Sequence, residues 1–184
     1  MGQKQKISAL IKACKQNDQN AQMQIYQLYY KAMYNTALRI VNQPDDAEDV
    51  MQEAFIKAFS KINSYKKTAT FGAWLKRIVI NESINWLRQQ KNLLCLNDDI
   101  KQIEMEAEID IDEKNTQIEQ VLEAMNQLKE NYKIILTLHF IEGYDYEEIM
   151  QILNLSYANV RTMISRAKKA LKRKLEQKLI NRKI

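Results

Sequence analysis

From Ala47 to Ile62 the apolar residues Ala47, Val50, Met51, Ala54, Phe55, Ala58, Phe59 and Ile62 recur at helical spacing. A helix over this stretch carries one unbroken apolar face, which has to be buried against other elements. Pro44 fits just outside such a helix, and Asp45 or Asp46 can cap its first free N–H groups. Periodic segments of this kind run through most of the chain, which holds three glycines and one proline in 184 residues. β-Hairpins need more turn residues than that, and abundant Leu, Ile, Lys, Gln and Glu favour helix. The expected fold class is all-α, with two small helical domains on an acidic linker.

Ile7, Leu10, Ile11 and Cys14 mark a short amphipathic helix, and residues 17–20 a turn. A longer helix over residues 21–41 follows from Ile25, Leu28, Tyr29, Ala32, Met33, Ala37, Ile40 and Val41. These are expected to pack with the helix after Pro44 and the one near Phe71 into a bundle. Residues 64–70 read as a polar, basic loop, and Thr70 can cap the helix whose core face is Phe71, Trp74, Leu75 and Ile78. The helical pattern fades from about Lys91. Residues 97–119 hold nine acids and two lysines, an exposed linker that is partly helical at most.

A second domain opens with Ile118, Val121, Leu122, Met125 and Leu128 and continues through Tyr132, Ile135, Leu136, His139 and Phe140. Gly143 suits a helix C-cap, and Asp145 and Glu148 hold the two positions of a capping box. A short helix through Ile149, Ile152 and Leu153 ends in the tight turn Asn154-Leu155-Ser156. Ser156 can then cap a helix from about Tyr157. Two helices joined by so short a turn make a helix-turn-helix, whose second helix enters the major groove by its N-terminal residues. Val160, Ile164, Ala167 and Leu171 can face the core, which leaves Asn159, Arg161, Thr162 and Ser165 to meet bases or phosphates.

The net charge of +5 hides whole segments of one sign. Residues 45–56 contain Asp45, Asp46, Glu48, Asp49 and Glu53 and no base. Capping and the helix dipole account for one or two of these acids; the rest suit either a solvated face or a docking surface for a basic partner. From 57 to 91, Lys57, Lys61, Lys66, Lys67, Lys76, Arg77, Arg88 and Lys91 face a single acid, Glu82. Tyr65, Phe71, Trp74 and Trp86 lie among them, and bases with interleaved aromatics suit single-stranded nucleic acid. Residues 157–184 carry ten bases and one acid. Two separate basic surfaces steer and hold nucleic acid.

Other chemistries find little support. His139 sits in an apolar helix without a second ligand or nucleophile near it in sequence, and reads as a packing residue. Cys14 and Cys95 lack ligand spacing and read as free thiols. The sequence shows no phosphate-binding glycine loop and no acid pair with catalytic spacing. The expectation is a non-enzyme with no metal and no cofactor. The longest apolar run, near residues 134–141, is too short to span a bilayer, and no apolar signal segment opens the chain. Cytoplasmic location and no membrane insertion are expected.

The run Asp45-Asp46-Ala47-Glu48-Asp49-Val50-Met51-Gln52-Glu53-Ala54-Phe55, followed by Phe71-Gly72-Ala73-Trp74-Leu75-Lys76-Arg77-Ile78 and Asn81, resembles the second conserved region of bacterial RNA polymerase sigma factors. It is most similar to the extracytoplasmic-function (ECF) group. Residues 146–174 resemble the fourth conserved region of the same family. This resemblance implies region 2 over residues 1–91, a linker over 92–117 and region 4 over 118–184.

It also implies roles. Asp45, Asp46, Glu48, Asp49, Gln52 and Glu53 would dock on the β′ clamp helices of core RNA polymerase. Tyr65, Lys66, Lys67, Phe71, Lys76, Arg77, Asn81 and Arg88 would hold bases extracted from the minus-ten element, with Asn81 on a base and Arg88 on a phosphate. Ser156, Tyr157, Asn159, Arg161, Thr162, Ser165, Arg166 and Lys169 would bind the minus-thirty-five duplex, and the same domain would meet the β flap. The linker would run through the RNA exit path, and an anti-sigma factor is an implied partner. Ala158-Asn159-Val160, Asn154 and Lys129 depart from the family's usual Gly-Thr-Val, Gly and Pro, so promoter preference does not carry over base by base. The residues alone leave open a helix-turn-helix regulator that acts without polymerase, an inhibitor that occupies polymerase without reading DNA, and a plain helical scaffold.

Overall fold

A computed structural model describes the backbone of residues 3–94 and 116–181, and the side chains of 5–90 and 118–177. Residues 95–115, which hold Cys95 and most of the expected linker, lie outside the described residues. The chain divides into two compact units, Met1–Ile100 and Lys101–Ile184. All regular structure among the described residues is helical. No helix there is long and apolar enough to cross a membrane.

In the first unit α1 spans Gln3–Cys14, α2 Gln19–Val41, α3 Pro44–Ser60 and α4 Phe71–Leu94. Asp18 caps α2 by accepting from the Ala21 N–H at 3.1 Å, so that helix begins earlier than its apolar pattern. Asn42 ends it with φ 64°, a left-handed conformation that asparagine tolerates. Pro44 is the first residue of α3 rather than a flanking one, and Gln43 stands at the N-cap without a side-chain bond. Asp45 and Asp46 are therefore not caps. Proline at this position lacks an N–H that would be orphaned anyway, and its fixed φ is already helical.

Buried Ala47, Val50, Met51, Ala54, Phe55 and Ala58 form the inner face of α3. They meet Ile25, Met33, Ala37 and Val41 of α2 and Leu75 and Val79 of α4 in one core. α1 adds Ile11 and Cys14, the latter a buried free thiol. The expected stripe on α2 is partly wrong: Leu28 and Ala32 are exposed, while Ala21 and Thr36 are buried. α4 also runs a turn past Lys91, to Leu94.

In the second unit α5 spans Thr116–Asn126, α6 Glu130–Leu136, α7 Tyr146–Leu153 and α8 Tyr157–Asn181. A π-helical stretch, Thr137–Ile141, continues α6. Its core holds Ala124, Met125, Ile135, Leu136, Leu138, Ile149, Ile152, Val160, Ile164 and Ala167. Of the residues whose pattern marks this domain in the sequence, Ile118, Val121, Leu122 and Phe140 are exposed. Phe140 instead lies under the Lys168 ammonium, 4.9 Å from the ring centroid. Lys133 of α6 is buried, and burial pushes its pKa down to about 8 against the opposing pull of Glu130.

Candidate nucleic-acid and polymerase interface

α3 has two faces of opposite character. Its inner residues are buried, while Asp45, Glu48, Asp49, Gln52 and Glu53 are exposed and Asp46 is half-buried. Positions 45, 48, 49, 52 and 53 share one side of a helix. Two side chains meet this charge directly: Gln52 donates to Glu48 at 3.2 Å, and Lys57 lies 3.4 Å from Glu53. Burial, then Asp49 and Asp45, holds the Asp46 carboxyl above its usual pKa. The neighbouring carboxylates thus add to burial in disfavouring the charged form of Asp46. Ile56, 63% exposed, extends the same side by one turn.

The basic surface after α3 is smaller than its composition suggests. Lys57 is paired with Glu82 of α4, so the stretch's one acid neutralises one of its bases and joins two helices. The Lys57 pKa is raised, chiefly by that hydrogen bond. The loop begins with a single turn at Ile62–Ser64. Tyr65, expected on an open loop surface, is 8% exposed. Its ring meets Phe71 edge-on at 5.5 Å and Trp74 at 5.4 Å, and its O–H donates to the Ala69 carbonyl at 2.8 Å. Phe71 is buried as well, against Tyr29 of α2. Gly72 allows this approach, since a Cβ there would stand 3.0 Å from the Tyr29 ring. Trp86 is half-buried against the same core.

Tyr65 and Phe71 shape the loop and offer no open face for stacking, while Trp74 and Trp86 are half-buried. Sequence periodicity did not reveal Tyr65 as core, because its partners come from α4. Lys66 and Lys67 are exposed, Lys67 with φ 60°. Thr70 caps α4 as expected, accepting from the Ala73 N–H at 3.2 Å. Asn81 and Arg88 are exposed and Arg77 is half-buried. At i, i+4 and i+11, Arg77, Asn81 and Arg88 fall on one stripe of α4. Lys76, half-buried, lies off that stripe.

In the second unit every expected cap is present. Gly143 takes φ 79° after the π-helical stretch. Asp145 accepts from the Glu148 N–H at 2.8 Å, and Glu148 accepts from the Asp145 N–H at 3.0 Å. Asn154 closes α7 with φ 54°, and Ser156 accepts from the Asn159 N–H at 3.3 Å. His139 packs as expected: its Nδ1–H donates to the Tyr144 carbonyl at 3.0 Å, and its ring lies 5.2 Å from Tyr146. Tyr146 in turn meets Tyr157 across the turn at 5.9 Å.

The result is a helix-turn-helix whose second helix hides Val160, Ile164 and Ala167, with Leu171 half-buried. Ser156, Tyr157, Asn159, Arg161, Thr162, Ser165, Arg166 and Lys169 are all exposed. Six of them, with Ala158, line an open depression of about 560 Å³. Among the described residues no group of three or more His, Cys, Asp or Glu is placed to hold a metal.

Sigma-70 region 2 matches residues 25–93 and Sigma-70 region 4 matches residues 118–171. Over 150 residues the chain is 30% identical to the ECF RNA polymerase sigma factor SigM of Bacillus subtilis, covering 81% of this chain and 91% of that protein. It is 29% identical over 184 residues to SigW of the same organism, covering 92% and 96%. The fold resembles the sigma factor RpoE in its complex with the anti-sigma factor NepR from Bartonella quintana, with TM-score 0.65, 24% identity and coverage of 84% and 96%.

This chain is an ECF sigma factor. As such it directs promoter recognition by RNA polymerase and transcription initiation, and it is not an enzyme. The acidic side of α3 and the loop before α4 both lie within the region 2 match, and the helix-turn-helix lies within the region 4 match. The α1 lysines lie before the region 2 match and belong to a basic segment, residues 1–44, to which the sequence assigned no site; Lys12 and Lys15 line a groove with Lys67 of the loop.

Proposed function

We propose that this sigma factor divides its work among three surfaces. Asp45, Asp46, Glu48, Asp49, Gln52 and Glu53 dock on the β′ clamp helices of core polymerase. The observation that carries this is the cluster of acids on the solvent side of a helix whose other face is fully used by the core. A basic partner balances that charge, which gives the acids a purpose that solubility does not require.

The loop at 64–70 and the Arg77–Asn81–Arg88 stripe capture minus-ten bases flipped from the non-template strand. With Tyr65 and Phe71 buried, capture rests on hydrogen bonds and phosphate contacts, and the rings hold the loop in shape. Capture of unpaired bases favours the melted promoter, and binding weakens steeply with salt. The depression on α8 binds the minus-thirty-five duplex, Arg161 and Arg166 foremost, with the β flap against the same domain. Residues 1–91 and 118–184 act as these two regions, and residues 92–117 join them. The cytoplasm is the place of action. An anti-sigma factor is a fitting regulator, as NepR is bound to the structural relative RpoE.

Run-off transcription with sigma-free core polymerase and genomic fragments tests the whole reading. Discrete transcripts that depend on the protein are expected, and their start sites reveal the promoter. Replacing Asp49 and Glu53 with Lys should abolish core binding in a pull-down while circular dichroism stays helical. Retained binding would remove the docking surface.

A further inference from the structure

Lys12 and Lys15 of α1 stand beside Lys67 of the minus-ten loop, although more than fifty residues separate them in sequence. With Ser8 and Ile11 these three lysines line a groove of about 150 Å³. None of the five lining residues is acidic. Ile11 is 4% exposed and forms an apolar floor, while Ser8, Lys12 and Lys67 are exposed at the rim and Lys15 is half-buried. Lys67 is held with φ 60°, a left-handed conformation that lysine seldom adopts. The volume suits one phosphate group and a few waters.

We propose that this groove binds the sugar-phosphate backbone of the single-stranded non-template DNA where it passes the loop. The inference rests on the minus-ten reading above and extends it to an element outside the region 2 match. Three lysines and a serine around one groove suit a phosphodiester at its rim, and the groove reaches the base-capturing loop through Lys67. A backbone contact here reads no base. It holds the strand's path beyond the captured base and so adds to the salt-dependent part of binding.

The test uses holoenzyme reconstituted with core polymerase and a fluorescent bubble template bearing the promoter that run-off transcription defines. Affinity is measured by anisotropy across a salt series. Lys12→Gln with Lys15→Gln should lower the slope of log affinity against log salt by about 1.4, from about 0.7 per lost phosphate contact on a single strand. Lys12→Arg with Lys15→Arg should restore it. An unchanged slope in the glutamine variant overturns the proposal, and weakened core binding instead of a changed slope assigns the groove to polymerase. Lys66→Gln with Lys67→Gln separates the two readings. If this loop variant lowers the slope and the α1 variant does not, only the groove fails; if neither does, the minus-ten assignment itself fails.

Discussion

The recognition helix α8 is set by contacts that span three to six residues of chain. Asp145 with Glu148, Asn154 in its left-handed turn, and Ser156 with Asn159 fix where α7 stops and how α8 starts. The loop before α4 is set differently. Tyr65 leans on Phe71 and Trp74, and Phe71 leans on Tyr29, more than forty residues away. One surface is thus presented by local hydrogen bonds and the other by long-range packing of rings. A cap acts where it stands in the sequence, whereas a ring acts wherever the fold finds room for it.

Substitutions should separate the two designs. The largest effect is expected at Tyr65. Tyr65→Ala empties the centre of the aromatic cluster and should cost about 3–5 kcal/mol in thermal unfolding of the first unit. Tyr65→Phe keeps the ring, loses the bond to Ala69 and should cost only about 1 kcal/mol. Equal costs would mean that the hydrogen bond, and not the packing, holds the loop.

Arg161→Ala comes next. It should leave stability unchanged and weaken upstream-element binding by about 1–3 kcal/mol if the guanidinium reads a base. Unchanged affinity in a band-shift with holoenzyme would make Arg161 a bystander in the depression. Asp145→Ala removes the side-chain acceptor for the Glu148 N–H, leaves the backbone N–H that donates to Glu148, and should cost about 1 kcal/mol of stability in the second unit. No change in its melting temperature would show that packing by His139 and Tyr146 suffices to seat α7.

The smallest effect is expected at Asp46. Its folded-state pKa lies above its ordinary value of 3.8, so folding favours the protonated form. The cost of the charged carboxyl, from burial first and then from Asp49 and Asp45, is absent below pH 3.8, grows as pH rises toward the folded pKa, and is fully present at neutral pH. Asp46→Asn should stabilise the free protein at pH 7 by about 0.2–0.5 kcal/mol, and the gain should vanish at pH 3. A loss of stability at pH 7 would mean that neither burial nor the neighbouring acids disfavours the charged Asp46 in the folded chain.

Much of the molecule was legible before any coordinates. The apolar period of α3, the capping residues of α7 and α8, the cap at Thr70 and the core face of α8 depend on neighbours within one or two turns. Helical geometry converts such spacings directly into faces and ends. The sign of each charged segment was equally plain. Which residues spend those features could not be read this way. Lys57 paired with Glu82, Tyr65 entered the core, Phe140 stayed outside it, and α1 brought two lysines to the loop. Each outcome depends on a partner brought near by packing between helices, or between a helix and a loop. A linear pattern specifies what a helix has to bury; only the assembled bundle decides what it meets.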